Sequence, residues 1–232
     1  MLGGVSEERF AEIIRGCMGR SPVPAIEDFR IRDRALAYAR RHNLEGWLDE
    51  RLSDEESVPP LTFHDYRDVR ITGNRADCDR IMIRRLGQVS LAAMRVYLAD
   101  AKADDLENLL WAECEATWWE LPTHERPSGP IDLHAAQCAA RYGLVLRLLR
   151  NRLHHEVVDR VDREIRRRVL DMYLDPTKLY WWHSHANNWN AVCNGGVGMA
   201  AMLLERDADR LTAILLRVLH GLPAFLNGFT PD

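Results

Sequence analysis

The stretch Ala191-Val-Cys-Asn-Gly-Gly-Val-Gly-Met-Ala-Ala201 carries no charged side chain and consists mainly of small residues. A helix covered by small residues can be approached closely from every side, so this stretch is predicted to be an inner helix. The charged segment that follows it, at 205–217, has the pattern of an amphipathic outer helix. Together the two segments indicate a hairpin made of one inner and one outer helix.

The same order of segments occurs earlier in the chain. Ala135-Ala-Gln-Cys-Ala-Ala140 is again small and uncharged, and the arginine-rich segment at 152–168 follows it. Inner–outer pairs that begin near Asp132 and near Asn188 indicate stacked helical hairpins. Such hairpins either close into an α/α toroid, whose inner helix ends line a cleft, or stack into an open solenoid. Because no window of strict alternation is long enough for a strand, the predicted fold class is all-α.

The apolar period predicts helices at about 76–101, 105–119, 132–151, 154–173, 188–206 and 208–226. Residues 66–74 are predicted to form an extended connector. Prolines break the first 60 residues into short helices, which gives a segment at 1–60 that leads into a helical domain at 61–232. Gly195, Gly196 and Gly198 are expected to allow close helix packing, and Glu164 is expected to pair with Arg168 one turn later.

Composition excludes several classes of protein. The chain of 232 residues is 47% hydrophobic and 28% charged, which is typical of a folded protein. The net charge of −4 argues against nucleic-acid binding, and no run of about eighteen apolar residues predicts a membrane span. Acidic residues near the start replace the apolar core of a signal peptide, so a cytoplasmic location is expected, or a periplasmic or secreted one if the N-terminus is incomplete. Five scattered cysteines indicate buried thiols.

Two segments could carry chemistry. In the first, Trp118 and Trp119 precede a proline loop that holds His124. Their rings could stack on sugars at a cleft mouth, or they could simply pack into the core. The second, at 180–196, combines three tryptophans, two histidines and four asparagines ahead of the inner helix.

Within the second segment, Asn187 or Asn188 is a natural N-cap. Asn190 and Asn194 lie one turn apart on an apolar helix, so they either pair inside or line a polar cavity. His183 and His185 have a spacing seen in metal sites, but no acid or cysteine nearby completes one. We therefore expect no metal and no cofactor.

The second half of the chain resembles the heparinase II/III family of polysaccharide lyases, specifically part of their N-terminal α/α toroid. The resemblance rests on the order and spacing of four blocks and covers roughly 60–226. The blocks are Tyr66-Arg-Asp-Val-Arg-Ile-Thr-Gly-Asn-Arg75, Trp118-Trp-Glu-Leu-Pro-Thr-His124, Ile131-Asp-Leu-His-Ala-Ala-Gln-Cys-Ala139, and Trp181-Trp182 with Asn187-Asn-Trp-Asn-Ala-Val-Cys-Asn-Gly-Gly196.

The resemblance implies β-elimination on an anionic, uronate-containing polysaccharide, heparan-like or alginate-like. The enzyme must stabilise the charge that grows on the uronate carboxyl while a base removes the adjacent proton. By resemblance, Asn187 or Asn188 would neutralise the carboxylate, and His124 or His185 would be the base or a supporting donor. The residues expected to bind the sugar are Trp118, Trp119, Trp189, Asn190 and Gln137.

Two features depart from the family pattern. The tyrosine that acts as general acid in such lyases lies in a glycine-rich segment beyond the asparagine-rich helix, and a β-sandwich follows it. This chain ends at Asp232, so we expect an incomplete toroid without that tyrosine. In addition, Trp189 follows Asn188, where the family often has histidine. The alternatives are a non-catalytic carbohydrate-binding or interaction module and a helical scaffold without a ligand.

Overall fold

The computed structural model describes residues 4–53, 60–124 and 131–228, and within them the secondary structure is entirely helical. This confirms the all-α prediction. The α-helices are α1 (Glu7–Cys17), α2 (Pro24–Glu27), α3 (Phe29–Arg41), α4 (Leu44–Ser53), α5 (Phe63–Thr72), α6 (Ala76–Leu98), α7 (Asp104–Glu115), α8 (Leu133–Leu149), α9 (His155–Ile165), α10 (Asp171–Leu174), α11 (Asn188–Leu204) and α12 (Ala208–Leu226). Short 3₁₀ turns at Arg150–Arg152 and Trp181–Ser184 and a π-helical turn at Arg166–Leu170 complete the set.

The six predicted long helices are confirmed, with ends that differ by a few residues. The prediction of an extended connector at 66–74 is wrong, because these residues belong mostly to α5. Thr62 and Asp65 form a reciprocal capping box at its start, and Gly73, at φ 76°, ends it in the left-handed conformation. These end signals specify a helix in a segment whose apolar period is weak.

The chain forms two compact units. Unit 1 comprises Met1–Pro22, His124–Leu144 and Asp162–Asp232, and unit 2 comprises Val23–Thr123 and Val145–Val161. Two of the four boundaries fall inside α8 and α9, so each of these helices contributes residues to both units.

Unit 1 is built around α11, which packs along α12. Its small residues permit close contact with α8, as predicted. A Cβ added at Gly196 would lie 2.6 Å from the carbonyl oxygen of Ala136, so only glycine fits there without a shift. Gly198 would meet Val218 at an ordinary contact distance, and Gly195 faces open space. The prediction of close packing is therefore confirmed at Gly196 and not at Gly195.

Ion pairs hold the charged surface of unit 1. Glu164 accepts hydrogen bonds from Arg167 and from Arg168, each at 2.7 Å, and the second of these is the predicted pair. Arg166 bonds to Asp162 at 2.9 Å and to the buried Glu205 at 3.0 Å. The arginine-rich segment is thus held by internal pairing, which agrees with its assignment as an outer face.

Unit 2 is built around α6, against which α3, α4, α5 and α7 pack. A buried cluster of Val69, Cys78, Met82 and Leu121 joins α5 to α6, with Leu61 packed against it. Between α6 and α7, the Arg85 Nε and Glu113 Oε1 atoms lie 3.2 Å apart, and both side chains are almost completely buried. The unit therefore contains a charged pair beneath its surface.

The sequence predicts buried cysteine thiols and no membrane span. Four of the five cysteines are buried, namely Cys78, Cys114, Cys138 and Cys193, whereas Cys17 is exposed. Among the residues described, none of the helices is long and apolar enough to cross a membrane.

Candidate functional site

Four rings of unit 1 form a continuous row near the start of α11. The rings of His124 and Trp189 meet edge to face with centroids 4.5 Å apart. Trp189 lies 5.0 Å from Trp181, and Trp181 lies 5.4 Å from His185. We call these four residues the ring row. It brings together three of the predicted site residues, His124, His185 and Trp189.

His124 stands at one end of the row and is paired with a buried acid. Its Nδ1 lies 2.8 Å from Oδ2 of Asp132, whose side chain is 2% exposed. The other carboxylate oxygen of Asp132 accepts the backbone N–H of Ala135 at 2.8 Å. An ionised Asp132 accepts hydrogen bonds only, so a neutral His124 carries its proton on Nδ1 and presents the Nε2 lone pair. This arrangement is suited to accepting a proton.

His185 stands at the other end of the row. Its Nδ1 lies 2.5 Å from the backbone carbonyl oxygen of Trp181, which serves as the acceptor, and its ring is exposed. This histidine also keeps Nε2 for other contacts, but a neutral carbonyl orients it in place of a carboxylate. Of the two histidines, His124 therefore faces a buried carboxylate, and His185 faces a neutral backbone carbonyl.

The two asparagines proposed for the carboxylate lie at the first residues of α11. Asn187 is the N-cap by position, yet its side chain makes no capping hydrogen bond, and its Oδ1 is buried without a partner. Asn188 begins the helix and is exposed. The N-terminus of this 17-residue helix carries unsatisfied N–H groups and a partial positive charge, both of which favour an anion.

Asn190 and Asn194 lie behind the row and are fully buried. Asn190 donates to the backbone oxygens of His183 and Gly221, each at 2.9 Å, and its Oδ1 accepts from Asn194 Nδ2 at 3.0 Å. The prediction that the two asparagines either pair inside or line a cavity is resolved in favour of pairing. Asn190 was also expected to bind sugar, but its amide is committed to the protein, so its role is to fix the start of α11.

Hydroxyl and imidazole groups extend this buried network. Tyr173 donates its hydroxyl to Asn194 Oδ1 at 2.7 Å, and Tyr180 donates to the carbonyl of Met172 at 2.9 Å. Burial raises the pKa of Tyr173 far above its ordinary value. Burial also lowers the pKa of His183, whose Nε2 lies 2.9 Å from the carbonyl oxygen of Arg217. These hydrogen bonds fix the segments that lie behind the ring row.

The remaining predicted residues are not members of the ring row. Gln137 is half-buried on α8 in unit 1. Trp118 and Trp119 belong to unit 2, where Trp119 is 3% exposed and donates its indole N–H to the carbonyl of Glu113 at 2.9 Å. The core alternative considered for this pair therefore describes Trp119, whereas Trp118 remains on the surface at 38% exposure.

Sequence reasoning missed two residues of the site. Asp132 was seen only as the start of an inner helix, although an acid that caps a helix beside a histidine-containing loop is a usable signal. Trp181 was noted in a motif but was not proposed to bind sugar. Its ring lies between those of Trp189 and His185.

Comparison with models of protein families found no match for this chain, and comparison with curated proteins found none either. Within the described ranges, no group of three or more histidine, cysteine or acidic side chains is placed to hold a metal ion.

Proposed function

We propose that this chain is a polysaccharide lyase of the heparinase II/III type, which cleaves uronate-containing polysaccharide by β-elimination. In this proposal its inner and outer helices belong to an α/α toroid. The resemblance of four sequence blocks suggests the family. The observation that carries the chemistry is the His124–Asp132 pair at the end of the ring row, directly against Trp189.

The first requirement of the reaction is a site for the uronate carboxylate. The exposed amide of Asn188, the amide of Asn187 and the free N–H groups at the start of α11 are donors that can bind this anion without a metal. Charge grows on the carboxyl group as the neighbouring proton leaves, so donors fixed in advance stabilise the transition state more than the ground state. Asn190 keeps the helix start in place by its bonds to backbone carbonyls.

The second requirement is a base. His124 Nε2 takes the proton from C5 of the uronate, and the C–H electron pair becomes the C4–C5 double bond. The C4–O4 bond then breaks with its electrons on the leaving oxygen, which takes a proton from an acid or from water. Asp132 stabilises the imidazolium formed at His124 and holds the ring in orientation.

The third requirement is a surface for the sugar ring. Trp181 and Trp189 are half-buried and adjacent, so they can present flat apolar area to the C–H face of a pyranose with little loss of entropy. The row and the start of α11 together therefore supply stacking, a base and carboxylate donors within one unit.

The second candidate is a carbohydrate-binding module without catalysis. The observation that favours it is the state of the tyrosines near the row. The hydroxyls of Tyr173 and Tyr180 are bonded internally, and both side chains are buried, so neither can protonate a leaving oxygen. A ring row with carboxylate donors but no nearby tyrosine acid would bind acidic sugar without breaking it.

One experiment separates the two candidates. The chain is mixed with heparan sulfate, with alginate and with their oligosaccharides, while the absorbance of the unsaturated uronate and the tryptophan fluorescence are followed together. The lyase proposal predicts product from at least one substrate and a rate about 10²-fold lower for Asn188→Ala, with unchanged thermal unfolding, because Asn188 is exposed. Quenching without product favours the binding module. The absence of both signals contradicts both candidates, and unchanged turnover removes Asn188 from the mechanism.

A further inference from the structure

Unit 2 has an aromatic cleft of its own, with a volume of about 620 Å³. Aromatic and polar side chains dominate its lining, and none of the lining residues is a histidine. The residues that carry the argument are Tyr66, Arg85, Trp111, Glu115 and Trp118. We call this the unit 2 cleft.

One wall of the cleft is a stack of flat groups. The rings of Tyr66 and Trp118 are parallel to within 4°, with centroids 4.7 Å apart. The Arg70 guanidinium lies 5.6 Å from the centroid of the Tyr66 ring. The Tyr66 ring therefore packs against one face of Trp118. Trp118, the more exposed of the two rings, is held in a fixed orientation at the cleft.

A second aromatic surface is held in a similar way. Trp111 is 41% exposed, and the guanidinium of Arg160 lies 5.5 Å from its ring centroid. Arg160 is in turn bonded to Glu115, with 3.1 Å between Nη2 and Oε1. Because Glu115 is the acid that lines the cleft and is neutralised by this pair, its charge is a weak obstacle to an anionic ligand.

Arg85 brings a buried guanidinium to the cleft. The residue is 8% exposed and lines the cleft, and its Nε faces Glu113 at 3.2 Å from behind. The Nε atom of Arg85 therefore belongs to the contact with Glu113. A guanidinium has five N–H donors in a planar fork, so its two Nη groups, which are not part of that contact, can donate to a ligand carboxylate.

We propose that the unit 2 cleft binds one acidic sugar residue of a glycan, with Trp118 and Trp111 against the pyranose faces and Arg85 toward the carboxylate. The volume suits a monosaccharide unit with its neighbours at the rim, within the usual range for small-ligand sites. Stacking rings select a carbohydrate, and the buried guanidinium selects an acidic one. This binding goes beyond the proposed elimination, because it requires no base and involves none of the ring row.

The test is isothermal titration of the full chain with a tetrasaccharide of alternating glucuronate and N-acetylglucosamine. Chitotetraose, which has the same size and no charge, is the matched ligand control. The titrations use the Asn188→Ala background, so that turnover does not consume the ligand. The proposal predicts that Trp118→Ala weakens binding about tenfold, that Trp118→Phe restores most of it, and that Trp47→Ala, an exposed tryptophan outside the cleft, has no effect.

Arg85→Lys tests the acidic part of the proposal. It is expected to weaken the glucuronate tetrasaccharide several-fold and to leave any weak chitotetraose binding unchanged, because lysine cannot match the carboxylate in a fork. Thermal unfolding shows whether Arg85→Lys remains folded. If it does not, the titration of Trp118→Ala, a change at an exposed side chain, still tests the site. Equal affinity of the Asn188→Ala protein with and without Trp118→Ala overturns the site, and equal affinity of the Asn188→Ala protein for both sugars overturns its acidic specificity. Both results leave the elimination assay unaffected, so the two proposals fail separately.

Discussion

The ring row of unit 1 and the unit 2 cleft both present tryptophans, but they are supported by different means. Buried amides bonded to backbone carbonyls, above all Asn190, fix the helix start behind the row. The cleft instead relies on guanidinium–ring contacts at Tyr66 and Trp111. The row also holds a histidine paired with a buried acid, whereas the cleft has no histidine in its lining. In our proposals, the exposed and half-buried tryptophans of both regions contact sugar, and the paired histidine of the row adds proton transfer.

Among the residues that support the two regions, the largest expected effect is that of removing the charge beside His124. Asp132→Asn keeps an oxygen for the N–H of Ala135 but replaces the carboxylate that faces Nδ1, so the imidazole loses its orienting acceptor. We expect the elimination rate to fall about 10²–10³-fold with a modest change in stability. The measurement is kcat/KM against pH, with Asp159→Asn, an exposed acid on α9, as the control. An unchanged profile would show that the pair does not act in catalysis.

The next largest effect is expected where Gly196 of α11 lies close to the backbone of α8. Gly196→Ala would place a Cβ 2.6 Å from the Ala136 carbonyl oxygen, so a helix must shift, and we expect a loss of about 2–3 kcal/mol in the free energy of unfolding. Gly195→Ala meets nothing within 4 Å and should stabilise the same helix slightly. Denaturant unfolding of both variants gives the comparison. Equal stabilities would contradict the packing of α8 against α11.

The smallest effect is expected on the outer face of unit 1. Burial alone would raise the pKa of Glu164, but hydrogen bonds from Arg167 and Arg168 outweigh it and hold the pKa below its ordinary 4.5. Because the pKa of Glu164 is lower in the folded than in the unfolded state, the ionised carboxylate stabilises the protein fully above the unfolded-state pKa. This contribution is lost as the pH falls through the lowered pKa of the folded state.

Glu164→Gln should therefore cost about 1–2 kcal/mol at neutral pH, and the difference from wild type should shrink below pH 4.5. Glu12→Gln removes an exposed pair with Arg9 and should change the stability little at any pH. Thermal unfolding across the pH range measures both variants. A difference for Glu164→Gln that persists or grows at low pH would contradict the assigned charge state.

The sequence predicts local features of this molecule better than long-range ones. Helical spacing places Asn190 and Asn194 on one face but left pairing and cavity lining as alternatives, and the structure shows pairing. The small-residue stretch predicts close packing but does not distinguish Gly196, where it occurs, from Gly195. Helix α5 was missed because its specification lies in the Thr62–Asp65 caps and not in an apolar period. The pairing of His124 with Asp132 and the stacking of Tyr66 on Trp118 were missed because no periodic spacing relates the partners.

The central claim is that the ring row removes a proton from a uronate sugar through His124. The most direct test follows the absorbance of the unsaturated uronate when the wild-type chain and His124→Ala are incubated with the same acidic polysaccharide. We expect product from the wild type and a rate about 10²–10⁴-fold lower for the variant, with both proteins folded by circular dichroism. Equal rates for the two proteins, or no product from the wild type on any uronate polysaccharide, would contradict it.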